Sequence, residues 1–436
     1  MSAITLREDA LLVIRRLRDA GHVALLAGGC VRDELMGLEP KDFDVATDAV
    51  PDRVREVFGR HLTQAVGAAF GVMLVRQNRS QIEVATFRAD GSYSDGRRPD
   101  GVRFTNAKED AERRDFTING LFRDPFARDD DPDDDGVIDH VGGRRDLKAK
   151  VLRCIGDPER RFGEDYLRLL RAVRFAARFD LTIHPATWRS LCDNAFRITG
   201  IAAERVGDEL RRMLVVPSRG QAWELLWQSG LIGPIFRDMP IPNDAPNRSR
   251  PFTRAMAEVS DDVPFASAIA ATLLDLAHQA GVPTTEAVRP EAAQSLADAG
   301  RRSLRLSNAE TDAVRAALSL WPVLEPATHG SVAGLATTRR FLGSPHVESA
   351  LPLLRTLARD RNLGEAAVTT LDELGQVRDR LPDILPAPLI SGDDLLTAGW
   401  QPGPHIARAL TAAYDAQLEG RITTRDEALA VANSVG

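Results

Sequence analysis

Two aspartates that flank a single phenylalanine are the residues of this chain best suited to chemistry. Asp42 and Asp44 enclose Phe43 at the start of an apolar run. Side chains alternate between the two faces of a β-strand, so a strand that begins here directs both carboxylates to one face and Phe43 into the core. Two carboxylates on an open face form a hard-oxygen site for Mg²⁺, the ion that neutralises a triphosphate during nucleotidyl transfer. The alternative is a solvated strand edge or a helix cap.

The segment before the aspartates predicts a phosphate-binding turn. Residues 23–27 (VALLA) have the apolar run of a buried strand, Gly28 and Gly29 form a tight turn, and residues 31–38 follow as a short helix. The first N–H groups of a helix have no partner within the helix, so they are free to hold a phosphate. This turn next to the paired carboxylates favours the metal site over a solvated edge.

The elements that must position these residues have the pattern of an α+β protein. Apolar runs predict strands that build a small mixed sheet, with helices packed against it. From about residue 150 the pattern is helical to the end, and proline-rich breaks at 239–251 and 382–388 are candidate joints. The predicted strands are 22–27, 43–46, 71–76 and 81–87; the predicted helices are 31–38, 51–58, 204–228, 255–280, 309–320 and 365–380.

Composition narrows the class of protein. The chain has 436 residues, 43% of them hydrophobic, and a net charge of −7, which argues against a general nucleic-acid binder. The basic residues are uneven, however: residues 144–178 contain eleven Arg or Lys against five Asp or Glu. Such a basic stripe is typical of a local phosphate-contacting surface.

Three scattered cysteines indicate a reducing compartment. Cys30, Cys154 and Cys192 are odd in number and include no CxxC pair, which excludes a disulfide framework and a cysteine zinc pair. The N-terminal segment is a charged amphipathic helix rather than a signal peptide, and no apolar run reaches membrane-spanning length. These features predict a cytoplasmic protein with no membrane partner.

Five segments together resemble one enzyme family. GGCVRDELMG, KDFDVAT, EVATFRADGSYSDGRRPD, RRDFTING and RRFGEDYLRLLRAVRFAARF occur in order between about residues 22 and 215. They resemble the class II tRNA nucleotidyltransferases and bacterial poly(A) polymerases of the polymerase β superfamily. The resemblance implies a catalytic head over 1–145, a helical neck for base recognition over 146–215, and a helical body and tail for tRNA binding over 216–436.

The resemblance also assigns nucleotide-binding roles around the aspartates. Arg114 would pair with triphosphate oxygens through its forked guanidinium, while Asp115 and Asn119 would hydrogen-bond ribose hydroxyls and so select ribonucleotides. The alternative for Asp115 is a helix N-cap, and the two roles can coexist. Gly29 and Arg32 of the first motif are assigned to nucleotide binding on the same basis.

A base-recognition pair is predicted in GEDYLRLLRAVRFAARF. Asp165 and Arg168 are three residues apart and are predicted to share a helix face, which Arg171 and Arg174 extend. The carboxylate accepts from an exocyclic amine and the guanidinium donates to a ring nitrogen or carbonyl, so this pair accepts cytosine or adenine and rejects uracil and guanine. In the family these positions act as the protein template. The alternative is a surface ion pair.

Two further features of the head are candidates for the site. Glu83 lies on a strand predicted beside the aspartates and is a candidate third carboxylate, the alternative being a solvent-facing strand residue. Residues 89–100 resemble the flexible loop that the family needs for adding A; its candidate residues are Tyr93, Asp95, Arg97 and Arg98.

The expected activity is transfer of CMP and AMP from CTP and ATP to the tRNA 3′ end, with Mg²⁺ as cofactor. Residues 66–75 (VGAAFGVMLV) resemble the tRNA enzymes rather than the poly(A) polymerases. Asp275 and His278 are too few to build the phosphohydrolase metal site that some relatives carry, so no such site is expected. The alternatives are an enzyme that adds only A, a poly(A) polymerase, and an RNA-binding protein with an inactive transferase fold.

Overall fold

The chain forms two compact units. The computed structural model describes residues 3–67, 71–91, 101–127, 135–239, 251–259, 262–360 and 362–435. The first unit is Met1–Val206 with Gln228–Pro234, and the second is Gly207–Trp227 with Ile235–Gly436. Across the described residues, no helix is both long and apolar enough to cross a bilayer.

A seven-stranded mixed sheet organises the first unit, as predicted. Its strand order is β3-β4-β5-β2-β1-β8-β9, in which β2 and β5 are parallel and the other neighbours antiparallel. Two small sheets join β6 to β7 and β10 to β11. The strands are β1 Ala24–Ala27, β2 Asp44–Thr47, β3 Thr63–Gly67, β4 Val72–Gln77, β5 Ser80–Thr86, β6 Arg88–Asp90, β7 Val102–Phe104, β8 Leu121–Arg123, β9 Val137–Asp139, β10 Val151–Leu152 and β11 Thr182–Ile183.

Among the described residues, eight α-helices belong wholly to the first unit. They are α1 Ala3–Asp19, α2 Gly29–Leu35, α3 Pro51–Phe58, α4 Ala107–Glu112, α5 Gly143–Lys148, α6 Pro158–Glu164, α7 Leu167–Arg178 and α8 Pro185–Asp193. The prediction of α3 is confirmed. The predicted helix at 31–38 instead covers Gly29–Leu35, because Gly37 adopts a left-handed conformation (φ 69°) that ends the helix.

Alternation along the central strands buries both faces of the sheet. Leu26 and Val45 pack with α1 and α3 on one face, while Leu25 and Ala46 pack on the other with Phe87 and Phe122. A strand that is buried on both faces appears in the sequence as a continuous apolar run, which is why β1 was predictable. This packing holds the end of β1 and the start of β2 rigidly together.

The second unit is helical in its described residues, as predicted for the chain beyond residue 216. The two helices predicted at 204–228 and 255–280 are not continuous, and that part of the prediction is wrong. The first is interrupted around Pro217 and the second just before Phe265, where Pro264 precedes the new helix. Proline has no backbone N–H to donate, so it interrupts a helix. Helices α9 and α11 cross the boundary between the units, and α10 crosses it by its last residue, Gln228. The remaining helices are α9 Ala203–Leu214, α10 Arg219–Gln228, α11 Ile232–Ile235, α12 Pro251–Val259, α13 Phe265–Gln279, α14 Thr284–Ala287, α15 Pro290–Leu304, α16 Asn308–Leu318, α17 Trp321–Thr328, α18 Leu335–Leu342, α19 Val347–Leu357, α20 Gly364–Arg380, α21 Gly392–Thr397, α22 Pro404–Leu418 and α23 Arg425–Val435.

Asp275 has a structural role in this unit. It is fully buried on α13, and its carboxylate accepts hydrogen bonds from the backbone N–H groups of Phe252 (3.0 Å) and Thr253 (3.1 Å) at the start of α12. The carboxylate therefore caps a neighbouring helix, where its negative charge also suits the positive end of the helix dipole.

Replacing Asp275 should destabilise the protein. Asp275→Ala removes the acceptor from two backbone donors, a loss of about 1–3 kcal/mol, and should lower the urea midpoint of unfolding. The matched control is Asp298→Ala, since Asp298 makes a surface hydrogen bond to Gln294 and its loss should leave the midpoint nearly unchanged. Equal midpoints for the two variants would contradict the capping role.

Candidate active site

The two aspartates stand at the edge of the central sheet. Phe43 is 3% exposed in the core, as predicted, whereas Asp42 is exposed and Asp44 half-buried. Asp44 pairs with Ala27 across the antiparallel β1 and β2 strands, so its carboxylate lies beside the turn that follows β1, and Asp42 lies two residues before the start of β2. The sheet register thus brings Asp44 and the Gly28 turn to one edge.

Glu83 lies on the neighbouring strand at the same level as Asp44. Val45 pairs with Val84 in the parallel β2 and β5 strands, so Asp44 and Glu83, each one residue earlier, point to the same face. Glu83 is exposed, which is compatible with either of its predicted roles. In the described residues, no three or more His, Cys, Asp or Glu side chains are grouped closely enough to hold a metal ion.

Mutual repulsion of these carboxylates appears in their pKa values. Burial, followed by the charges of Glu83 and Asp42, raises the pKa of Asp44 to about 7, while Arg114 acts in the opposite direction. Desolvation and the charge of Asp42 also raise the pKa of Glu83. The edge therefore concentrates negative charge on oxygen ligands, the environment that a hard divalent cation stabilises.

Arg114 lies directly against the turn. Its Nε and Nη2 donate to Asp110 Oδ2 (3.2 and 2.9 Å), and its Nη1 donates to the carbonyl oxygen of Asn119 (3.1 Å). Gly28 has φ 68°, and a Cβ there would lie 2.6 Å from Arg114 Nη1, so only glycine permits this approach. The guanidinium is thereby fixed near Asp44 on the edge where a triphosphate is predicted.

A buried hydrogen-bond network joins the predicted ribose-binding residues. Asp115 Oδ1 accepts from Asn119 Nδ2 (3.0 Å) and the Phe116 N–H (2.8 Å), and Asp115 Oδ2 accepts from Arg171 Nε (2.8 Å). Arg32 Nη1 donates to Asn119 Oδ1. Burial alone would raise the pKa of Asp115, but Arg171 and Asn119 hold it well below its ordinary range. The structure brings these four side chains together; contacts of Asp115 and Asn119 with ribose remain a prediction.

Arg32 also contacts two aromatic rings at the end of α7. Its guanidinium carbon lies 4.4 Å from the centre of the Phe179 ring and 5.3 Å from that of Phe175, and both its Nε and Nη2 donate to Asp33 Oδ1. It is only 5% exposed. Arg32 therefore connects the helix after the Gly28 turn to α7.

The prediction that Asp165 and Arg168 share one helix face is wrong. Helix α6 ends at Glu164, and Asp165 has extended backbone (φ −157°, ψ 105°) before α7 begins at Leu167. Asp165 Oδ1 accepts the Leu167 N–H (3.1 Å), an alternative to helical bonding that aspartate favours. Arg168 Nη1 donates to Glu164 Oε2. The base-recognition role of the pair remains a prediction.

The other two arginines of α7 differ in surroundings. Arg171 pairs with Asp115, as described above, whereas Arg174 is 8% exposed and its guanidinium carbon lies 4.3 Å from the Phe175 ring centre. Arg168, Arg171 and Arg174 all lie on α7, so the prediction that these three arginines follow one another at i+3 along a helix is confirmed. The candidate loop residues Tyr93, Asp95, Arg97 and Arg98 lie outside the described residues.

Two partners of these residues were not predicted from sequence. Arg205 donates to both oxygens of Asp165 (2.8 and 3.3 Å) from forty residues away, and no local spacing signals such a contact. Asp110 lies four residues before Arg114 on a helical segment, so its pairing with Arg114 is an i,i+4 contact that spacing could have indicated.

Comparisons with known proteins match these segments. Residues 24–153 match a family model described as the poly A polymerase head domain, and residues 180–241 match one described as a probable RNA and SrmB-binding site of polymerase A. The chain is 38% identical to the CCA-adding enzyme of Lactobacillus gasseri over 223 residues and 37% identical to that of Bacillus licheniformis over 232 residues. Residues 24–153 and 180–241 are therefore similar to the head and RNA-binding segments of poly(A) polymerases.

Solved structures extend the likeness over nearly the whole chain. A Bacillus stearothermophilus CCA-adding enzyme in complex with CTP has a TM-score of 0.72 at 26% identity and covers 98% of this chain and 97% of its own. The Thermotoga maritima CCA-adding enzyme complexed with tRNA shares the fold at a TM-score of 0.62 and 20% identity, covering 98% of this chain and 95% of its own. The sequence match to the Lactobacillus gasseri enzyme covers 51% of this chain and 54% of the relative, and the match to the Bacillus licheniformis enzyme covers 53% and 55%. The chain therefore spans about half the length of the curated relatives that it matches.

Repulsion at the carboxylate edge should destabilise the protein without bound cations. Because the pKa of Asp44 in the folded state, about 7, exceeds its ordinary value of 3.8, ionisation opposes folding, and stability is lost as pH rises between these values. Asp44→Asn should therefore raise the Tm more at pH 8 than at pH 5, by about 2–4 °C for each kcal/mol. The control Asp52→Asn alters a side chain that is 89% exposed. A Tm gain independent of pH would contradict the repulsion.

Proposed function

We propose that this protein is a template-independent tRNA nucleotidyltransferase that adds CMP and AMP from CTP and ATP to the tRNA 3′ end and releases pyrophosphate. The observation that carries the proposal is the sheet edge where Asp42 and Asp44 meet the Gly28 turn and Arg114. Carboxylates there face the position at which that arginine and the turn favour a triphosphate. The likeness to CCA-adding enzymes supports this substrate class.

The proposed division of labour follows the chain. Residues 1–145 form the catalytic head, 146–215 the neck that recognises the base, and 216–436 the body and tail that bind tRNA. The match of residues 180–241 to a probable RNA-binding model supports an RNA partner. All three cysteines are free thiols, which agrees with a reducing, cytoplasmic location.

The donor set of the edge fits Mg²⁺. Proteins usually bind this ion through one or two carboxylates together with substrate phosphates, and Asp42 and Asp44 are such a pair, with Glu83 as a candidate third. When bound, the ion would lower the pKa of the tRNA 3′-OH and stabilise charge on the transferring phosphorus. Arg114, held by Asp110, would bind phosphate oxygens of the same triphosphate.

Selection of the base is assigned to Asp165 and Arg168. Cytosine and adenine present an exocyclic amine beside an acceptor, so the carboxylate accepts from the amine while the guanidinium donates to the ring. Uracil and guanine reverse this pattern and would leave buried groups unpaired. Glu164 accepts from Arg168, which orients the guanidinium.

Nucleotide addition to a trimmed tRNA tests the function. A tRNA lacking its three terminal nucleotides should receive two C residues and then one A when CTP and ATP are supplied with Mg²⁺, and no product should form with UTP or GTP. Product length is read on a sequencing gel. Addition of A only to tRNA ending in CC would indicate an A-adding enzyme, long A tracts a poly(A) polymerase, and binding without addition an inactive fold.

Removal of either aspartate should abolish transfer while tRNA binding persists. Asp42→Asn or Asp44→Asn removes a metal ligand, and loss of several kcal/mol of transition-state stabilisation corresponds to at least about a thousandfold in kcat. Single-turnover assays and a tRNA gel shift measure the two effects separately. The exposed control Asp52→Asn should transfer normally, and near wild-type turnover of either variant would refute the metal assignment.

A further inference from the structure

Arg205 holds the carboxylate of Asp165 with both ends of its guanidinium. Arg205 Nη2 donates to Asp165 Oδ2 at 2.8 Å, and Arg205 Nη1 donates to Asp165 Oδ1 at 3.3 Å. The two side chains are 23% and 17% exposed, so water screens this pair only partly. A forked, charge-assisted contact of this kind fixes the plane of a carboxylate as well as its charge.

The number of donors limits what else Asp165 can accept. A carboxylate offers about four lone-pair positions. Among the described contacts, Oδ1 accepts from the Leu167 N–H and from Arg205, and Oδ2 accepts from Arg205. One lone-pair position remains, and it is on Oδ2. The hydrogen bonds from Arg205 and from the Leu167 N–H fix the plane of the carboxylate and therefore the direction of that lone pair.

The direction of this position matters because all four bases carry a donor on the Watson–Crick edge. Cytosine and adenine offer an exocyclic amine at C4 or C6, whereas uracil and guanine have a carbonyl at that position and offer the neighbouring ring N–H, to which guanine adds an amine at C2. A carboxylate that can rotate is able to accept from either kind of donor. A carboxylate held in one plane accepts only from a donor at the position of the cytosine or adenine amine. Uracil or guanine in the same place would leave a buried group without a partner.

We propose that Arg205 is a positioning residue for base selection: by clamping Asp165 it restricts the acceptor to the exocyclic amine of cytosine or adenine. This inference rests on the proposed function and deepens it. Arg205 itself is not expected to touch the nucleotide. Its effect should therefore appear in the preference among nucleotides, mainly through KM, rather than in the chemical step.

The test compares Arg205→Ala and Arg205→Lys with wild type in single-nucleotide addition. Arg205→Ala should lower the preference for CTP over UTP, and for ATP over GTP, about tenfold or more, with a larger change in KM than in kcat. Arg205→Lys keeps the charge but lacks the fork, so its preference should fall between the two. Loss of rate that is equal for all four nucleotides would indicate a merely structural role and overturn the proposal.

Two controls keep the result interpretable. Arg212 lies further along the same helix, is 64% exposed and pairs with Glu209, so Arg212→Ala should leave the preference unchanged. In the double variant Asp165→Ala with Arg205→Ala, the preference should equal that of Asp165→Ala alone, because Arg205 acts through that carboxylate. A further loss of preference in the double variant would refute the proposal, and if Arg205→Ala fails to fold, Arg205→Lys decides it.

The outcome separates the two proposals. If wild type adds neither C nor A to tRNA, the proposed function fails. If wild type adds C and A selectively but Arg205→Ala and Arg205→Lys keep the wild-type preference, only the role of Arg205 fails.

Discussion

The ion pair between Asp115 and Arg171 is the interaction on which the candidate site depends. Asp115 belongs to the segment that leads into β8 of the central sheet, and Arg171 belongs to α7. The carboxylate is 7% exposed, so loss of its partner would leave an uncompensated buried charge, which typically costs 3–5 kcal/mol. The network continues through Asn119 to Arg32, so α2, which follows the Gly28 turn, and α7 share one set of buried hydrogen bonds.

The carboxylate edge has the opposite character, since its charges repel rather than pair. Burial and the negative neighbours Asp42 and Glu83 raise the pKa of Asp44. A protein selected for stability alone would not place such groups together, whereas a site that binds a divalent cation and a triphosphate requires them. The well-packed apolar strands on both faces of the sheet supply the stability that this edge removes.

Sequence identity and structural likeness cover different lengths of the chain. Identity to the curated relatives covers about half of it, whereas the likeness to the Bacillus stearothermophilus structure covers 98%. The difference has a physical basis, because packed helices tolerate exchange among apolar residues of similar volume. Positions with the metal-binding and phosphate-binding roles proposed for the first 145 residues would admit few residue types, which agrees with the sequence matches lying mainly in this part of the chain.

The sequence by itself determined the features that depend on local spacing. Period-two alternation predicted Phe43 in the core with Asp42 and Asp44 on the opposite face, the apolar runs predicted β1 and β2, and the five motifs indicated a resemblance to one enzyme family. The short strands β8 and β9 were not predicted, because three residues carry too little pattern to separate a strand from a loop.

Only the tertiary structure decided which distant side chains meet. Asp165 lies outside the helix that its spacing with Arg168 suggested, because its carboxylate bonds the Leu167 N–H and so competes with a helical turn. The contact of Asp165 with Arg205 depends on how the chain packs. The position of Glu83 directly beside Asp44 depends on the register of β2 and β5. The contact between Asp165 and Arg205 has no local period, so a sequence pattern, which records only near neighbours, contains no signal for it.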